Sequence, residues 1–435
     1  MGANGRCCYG CFNTNNRLHS GNSKVFSCWT LWWGGERVIE QVSSVRSRHD
    51  LVRKVNQQRI MKIVSEQNPI GIPQLIKLSG LSRPTVDQIV ELFLENGLIR
   101  ESGFTQGRPG RKAALYELDP NTGFGVGVDL GGSKIACAIA DVGGKILVQE
   151  YEQITPDGGT QIIAQIIELI QKVCKKADIP LEKIRQIAIG TPGIISEDGK
   201  LSLGANIGNL DGMHLSNILR KLFDVDVDVE NDLNLAAVGE YLHGAAREVM
   251  NFALIQLGTG IGSGIFVDGH LVRGSRGAAG EVSFLPLFGN PEDPWALENG
   301  LAESVLGTKG ILKRYDALCG KEVSVTVKEI FERAASGEKE AREMVDEVGK
   351  KLAYVAVCLK AIADPELIII GGGIGSNPAL LPIVQSWANK LVPFEVRIKS
   401  TSLEAKAGVI GAAAYAAEKI RTRMMVETTE RKSYE

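Results

Sequence analysis

The chain has 435 residues, enough for two or three domains that each bury a core. A formal net charge of −2 and a pI near 6.3 exclude a globally cationic nucleic-acid binder, so any grip on DNA must come from a local basic patch. Apolar residues make up 44% of the sequence, which fits a globular protein; no apolar run approaches spanning length and the first residues lack a secretion-signal layout, so a cytoplasmic protein with no membrane partner is expected.

Residues 1–36 are unlike the rest. They hold four of the eight cysteines (Cys7, Cys8, Cys11, Cys28) and three of the five tryptophans (Trp29, Trp32, Trp33), with neither helical nor strand periodicity. Cys8 and Cys11 form a lone C-x-x-C, and Cys28 does not supply the second ligand pair that a zinc knuckle needs. Gly34-Gly35-Glu36 back-translates to a purine-rich stretch resembling a bacterial ribosome-binding site, with Val38 as a GTG start just downstream. Residues 1–37 are then expected to precede the true start, and residues 1–44, if translated, to form a disordered extension. The remaining cysteines, Cys137, Cys174, Cys319 and Cys358, read as buried thiols.

Residues 45–118 read as a winged helix-turn-helix. A first helix is expected around Val55–Val64, and a short second one over Pro73–Ser79 ending at Gly80, which accepts a left-handed turn. Ser82 is a good N-cap for a third helix, with Pro84 in its first turn and Val86, Ile89, Val90 and Phe93 as its buried stripe. Ser82, Arg83, Thr85 and Gln88 then stand where a recognition helix meets base edges. Leu98–Glu101 and Ala114–Leu118 read as wing strands, and Arg108, Arg111 and Lys112 on the loop between them suit a narrow, electronegative minor groove. The plainer reading of that loop is a solvated basic turn.

From about residue 119 the chain alternates strands and helices, which argues for an α/β fold. A strand ending near Val128 leads into Asp129-Leu-Gly-Gly-Ser-Lys134 and straight into a second strand. Gly131, Gly132, Ser133 and Lys134 therefore form a hairpin turn, not a P-loop or a Rossmann fingerprint, both of which open a helix. Bare backbone N–H groups in such a turn still suit a phosphate. Strand Phe252–Leu257 repeats the theme with Gly258, Thr259, Gly260 and Gly262, and the buried strand Leu367–Ile370 runs into Gly371, Gly372 and Gly373, with Asn377-Pro378 capping the next helix. Two strand-turn-strand clamps suggest a duplicated fold with ATP in the cleft. Asp232 follows the alternating strand Val225-x-Val227-x-Val229, where a carboxylate can face a cleft, although Asn231 or Asp232 could simply cap the following helix.

In these motifs and their order, residues from about 50 to 420 resemble the ROK family of repressors and sugar kinases, and the head resembles that of its repressor branch. The resemblance implies a two-lobed actin-like/hexokinase-type (ribonuclease H-like) body, lobe 1 over 119–240 with 405–422 and lobe 2 over 241–404, followed by a tail at 423–435. It further implies nucleotide contacts at Asp129, Gly131, Gly132, Ser133, Lys134, Gly258, Thr259, Gly260, Gly262 and Gly371–Gly373. Sugar contacts are implied at Asn206, Asn231, Asp232, Glu281 and Glu298, with Asp232 the general base of a kinase member. Two departures stand out. Phe284 ends the stretch Gly280-Glu-Val-Ser-Phe284, where the family has a histidine that touches sugar and a structural zinc; Pro286–Ala296 contains none of the family's zinc cysteines. No structural zinc and no substitute metal site are expected.

The combination predicts a sugar-responsive repressor that binds operator DNA as a dimer or dimer of dimers, with a small-molecule sugar as effector. An ATP- and Mg2+-dependent sugar kinase, alone or retained beside DNA binding, is the alternative, and a nucleotide-binding scaffold without sugar is the plainest.

Overall fold

The computed structural model describes residues 48–104, 113–119, 121–132, 134–155, 158–195, 201–202 and 215–434. The N-terminal extension, the basic loop with Arg108, Arg111 and Lys112, and the candidate contacts Ser133 and Asn206 lie outside the described residues.

The head begins with helix Arg48–Glu66, which starts earlier than its apolar periodicity suggests, followed by helices Ile72–Ser79 and Arg83–Glu95. Gly80 turns between the last two at φ 69°, a left-handed conformation that costs a glycine little. The Ser82 side chain caps the third helix by accepting from the Thr85 N–H. Val86, Ile89, Val90 and Phe93 are buried against Ile60, Val64 and Leu75. Strand Ile99–Phe104 pairs antiparallel with Ala114–Leu118, and Ile70–Gly71 adds a third, two-residue strand on the other side.

The body is built on two five-stranded sheets with one topology. In the first, strand Phe124–Leu130 lies between its hairpin partner Lys134–Asp141, beyond which runs Ile146–Gln153, and the parallel strands Ile184–Thr191 and Asp226–Asn231. In the second, Phe252–Leu257 lies between its hairpin partner Ile261–Val267, with His270–Leu271 outside it, and the parallel strands Leu367–Gly371 and Ile398–Ser400. Both sheets therefore follow the order 3-2-1-4-5, as a duplicated unit would.

Side-chain alternation sets the layers. On strand Lys134–Asp141, Ile135, Cys137 and Ile139 join the core under helix Thr160–Lys176, whereas Ala136, Ala138 and Ala140 face Val409 and Ala413 of helix Ala407–Tyr434. That last helix runs close enough that a Cβ on Gly127 would overlap the backbone of Ala412 and Ala413. Helix Asp232–His243 places Ala236 and Ala237 against Phe252, Leu254 and Phe266 of the second sheet, whose other face packs on helix Lys339–Ala363. The two inner helices cross at Gly239 and Gly411, where a Cβ would strike Ala407 O and Leu235 O respectively. The layers are thus helix, sheet, two helices, sheet, helix, and the inner pair joins the lobes.

Among the described residues no helix is long and apolar enough to cross a membrane.

Candidate functional site

The C-terminal ends of the central strands and the start of helix Asp232–His243 bring the candidate residues together. Asn231 is the N-cap: its Oδ1 accepts from the N–H groups of Leu233 (2.9 Å) and Asn234 (3.1 Å), and its Nδ2 donates to Gly193 O (3.0 Å). Its polar atoms are engaged inside the protein. Asp232 Oδ1 also accepts from Leu233 N–H at 2.9 Å. Burial pushes the Asp232 carboxyl up to about 7, and the nearby Asp129 and Glu281 carboxylates add to the shift. Burial likewise raises Asp129 to about 6, against the pull of Lys134. Glu281 rises for the same reason, moderated by a hydrogen bond with Ser283. Three carboxyls from three elements thus share one field, and Asp232 can hold or accept a proton near neutrality.

Two residues from the sequence reading do not enter this group. Glu298 is exposed on the short helix Pro294–Asn299, and Phe284, at the end of the 3-10 turn after Glu281, is 43% exposed. A carboxylate that sequence reasoning missed does enter. Glu303 lies beside Glu281, which together with burial raises its pKa, while the Ile261 N–H and Lys309 oppose the rise.

The three glycine turns differ. In the first, Gly131 N–H closes the hairpin onto Lys134 O at 3.0 Å, and a Cβ on Gly132 would meet nothing within 4 Å among the described residues. The third turn is also bare at Gly373, while Gly372, at φ 87°, is pressed against Leu257. The second turn is closed by Gly258 N–H to Gly260 O at 2.8 Å and is packed from outside. Glu303 stands against Gly260, Leu233 against Gly262, and Thr308 donates through its N–H to Thr259 O (3.1 Å) and through its hydroxyl to Gly258 O (3.0 Å). Gly132 and Gly373, and Gly258 of the second turn, whose added Cβ would meet only Gly373 N at 3.8 Å, leave room for a close approach, whereas Gly260 and Gly262 face Glu303 and Leu233. Among the described residues, no three His, Cys, Asp or Glu side chains stand where they could hold a metal ion.

A sequence profile of the ROK family matches residues 125–419, which span both sheets and all three turns. The chain belongs to the ROK family. Its relatives within the ROK family fall on both sides of the family's division of labour. The xylose repressor of Caldicellulosiruptor bescii is 27% identical over 339 residues, 74% of this chain and 84% of the relative. The glucokinase of Halalkalibacterium halodurans is 31% identical over 307 residues, 66% of this chain and 92% of the relative. Among solved structures, a ROK family transcriptional regulator described as a homolog of the E. coli MLC protein superposes with a TM-score of 0.67 at 22% identity, covering 87% of this chain and 99% of that one. That likeness extends the shared fold beyond the ROK body.

The head is fastened to the body at the far end of helix Asp232–His243. His243 is packed beside Lys62 of the first head helix, Arg247 and Arg421; burial and these three cations hold its pKa down to about 4. Around it Arg59 pairs with Glu248 (3.1 Å), Ser65 Oγ donates to Asp141 (2.8 Å) and Gln58 donates to Glu418 of the C-terminal helix (3.0 Å). Val142 and Ile420 are buried in the head's own core. On the third head helix, Ser82, Arg83 and Gln88 are exposed, Arg83 reaching Asp87 at 3.4 Å; Thr85 is half-buried and shares a hydrogen bond with the Ser82 hydroxyl.

Proposed function

We propose that this protein is a sugar-responsive transcriptional repressor of carbohydrate-use genes. Residues 45–118 act as its winged helix-turn-helix, two copies of the chain read a palindromic operator through Arg83, Thr85 and Gln88, and a sugar held by Asp232 and Glu281 is the signal. The observation that carries the reading is a single helix. Helix Asp232–His243 starts at the cleft carboxylate and ends against the first head helix, about 18 Å away at 1.5 Å per residue. A shift at its cleft end is passed to the head through packed contacts. A tenfold loss of operator affinity needs only about 1.4 kcal/mol of differential binding, inside the usual allosteric range. The xylose repressor relative, matched over 74% of this chain and 84% of its own length, supports this assignment.

The test is fluorescence anisotropy with DNA from upstream of the protein's own gene, titrated with salt and with xylose, glucose, mannose and N-acetylglucosamine. The reading expects an affinity that falls steeply with salt and drops at least tenfold with one sugar. Operator binding indifferent to every sugar sinks it.

The Asp232 carboxyl favours one second reading. A carboxyl titrating near neutrality suits a general base that takes the hydroxyl proton of a sugar during phosphoryl transfer, and a glucokinase is among the relatives. A coupled ADP-release assay across hexoses and pentoses, with Asp232→Ala as control, decides it.

A further inference from the structure

Strand Asp226–Asn231 carries Asp226, Asp228 and Glu230 on one face, opposite the buried Val227, because alternate side chains share a side. Helix Ala407–Tyr434 supplies cations to the first two: Arg423 reaches Asp226 at 2.6 Å and Lys419 reaches Asp228 at 3.0 Å. The third acid breaks the pattern. Glu230 Oε2 accepts from Arg273 Nε at 2.6 Å, and Arg273 lies just beyond strand His270–Leu271 of the second sheet. This pair therefore joins the two halves of the body.

Both of its ends are fastened next to a cleft carboxyl. Glu230 is only 8% exposed, and its other oxygen accepts from the Asn231 N–H at 3.0 Å and from Asn234 Nδ2 at 2.9 Å. Those two residues flank Asp232 at the start of its helix. On the other side, the Ala279 N–H donates to Arg273 O at 3.0 Å and closes the loop that leads into Gly280 and Glu281. Gly280 is held in turn: its carbonyl accepts the N–H (3.0 Å) and the hydroxyl (2.9 Å) of Ser263, and an added Cβ would lie 2.2 Å from Ser263 O. An exposed ion pair contributes little, but a carboxylate as buried as Glu230 that loses its cation keeps a charge with poor access to water.

We infer that Arg273 is a positioning residue of the cleft: by holding Glu230 it sets the spacing between the Asp232 and Glu281 carboxyls, and with it the fit of one polyhydroxyl ligand to both. Arg273 acts through Glu230 and its own loop, without touching that ligand. Its guanidinium also donates to the Tyr415 hydroxyl at 3.5 Å, and Lys419 lies 5.2 Å over the Tyr415 ring, so the C-terminal helix braces the tie. The inference deepens the sugar reading of the cleft and rests on it for the class of ligand.

Hydrogen–deuterium exchange of the full chain, read by mass spectrometry, tests the tie without any ligand. Wild type is compared with Arg273→Gln, Glu230→Gln and Arg273→Lys. Exchange in peptides covering 231–234 and 279–284 is expected to speed up about tenfold in both Gln variants, while helix Thr160–Lys176 keeps its protection, and Arg273→Lys is expected to restore most of the loss. Equal loosening throughout the chain, or loosening confined to the substituted side of the pair, overturns the inference. Isothermal titration with xylose, glucose, mannose and N-acetylglucosamine then reads the cleft. Whichever of them wild type binds, Arg273→Gln should bind about tenfold more weakly, and an unchanged affinity also overturns the inference. If wild type binds none of the four, the sugar reading falls, while the exchange result still decides whether the pair holds the two segments together.

Discussion

Replacing Asp232 with asparagine should stabilise the protein, increasingly as pH rises from about 4 to about 7. In the folded chain the Asp232 carboxyl titrates near 7 instead of 3.8, because burial and the Asp129 and Glu281 carboxylates disfavour its charge. The folded state therefore binds this proton more tightly than the unfolded chain between those values. The stability this provides is complete below pH 3.8 and is lost as pH rises through 7. A shift of about three pH units corresponds to ~4 kcal/mol at 1.36 kcal/mol per unit; solvent still reaches part of the side chain, and halving for that leaves ~2 kcal/mol. Asparagine keeps the acceptor that caps Leu233 and cannot ionise. The Asp232→Asn variant should then exceed wild type by only about 0.5 kcal/mol at pH 4.5 and by about 2 kcal/mol at pH 8, a rise of about 4 °C in the body's calorimetric transition. Sugar binding should be lost in the same variant. A stability difference that does not change between pH 4.5 and 8, or that favours wild type at pH 8, refutes the electrostatic account of this cleft.

The opposite pH trend belongs to His243. Its folded pKa of about 4 lies below the ordinary 6.5, so the stability associated with the neutral ring is present above pH 6.5 and lost as pH falls towards 4. His243→Gln should remove about 2 kcal/mol of that acid sensitivity, read from denaturant midpoints at pH 4.5 and 7.5. Gly127→Ala forces a methyl into the backbone of Ala412 and Ala413, and should cost about 3 kcal/mol or abolish soluble expression. Arg59→Ala removes an exposed ion pair with Glu248, so the melting temperature should barely move; a sugar response that shrinks all the same, seen in operator anisotropy, would place that contact in the signalling path. Gln88→Ala should cost roughly 1–3 kcal/mol of discrimination at one operator position and leave the salt dependence of binding unchanged, as measured on single-base operator variants.

The α/β body was legible because its signals are local. Each strand-turn-strand unit announces itself within about twenty residues, and both units place glycines at the turn between the paired strands. The cap at Ser82 and the stripe through Phe93 were likewise written in a window shorter than four turns. What could not be read was long-range. Glu303 meets Gly260 only after two intervening short helices fold back, and no periodicity marks it. Asn231 and Asp232, adjacent in sequence, divide the two roles that the sequence left open, since the asparagine caps the helix while the aspartate carries the perturbed carboxyl. Glu298 followed the family's pattern, yet its short helix presents it to solvent. The docking of the head also escaped notice: its contacts, such as Ser65 with Asp141 and Gln58 with Glu418, join residues with nothing in common but their meeting place.

Helix Ala407–Tyr434 has a consequence for how the chain is made. It lines the first sheet, crosses Asp232–His243 and lends Ile420 to the core of the head, so two units built from early sequence stay unfinished until this late segment leaves the ribosome. At roughly 5–20 residues per second, the wait between Leu130 and Ala407 lasts about 15–60 s. A nascent or prematurely terminated chain would carry a head with an open seam where Ile420 belongs.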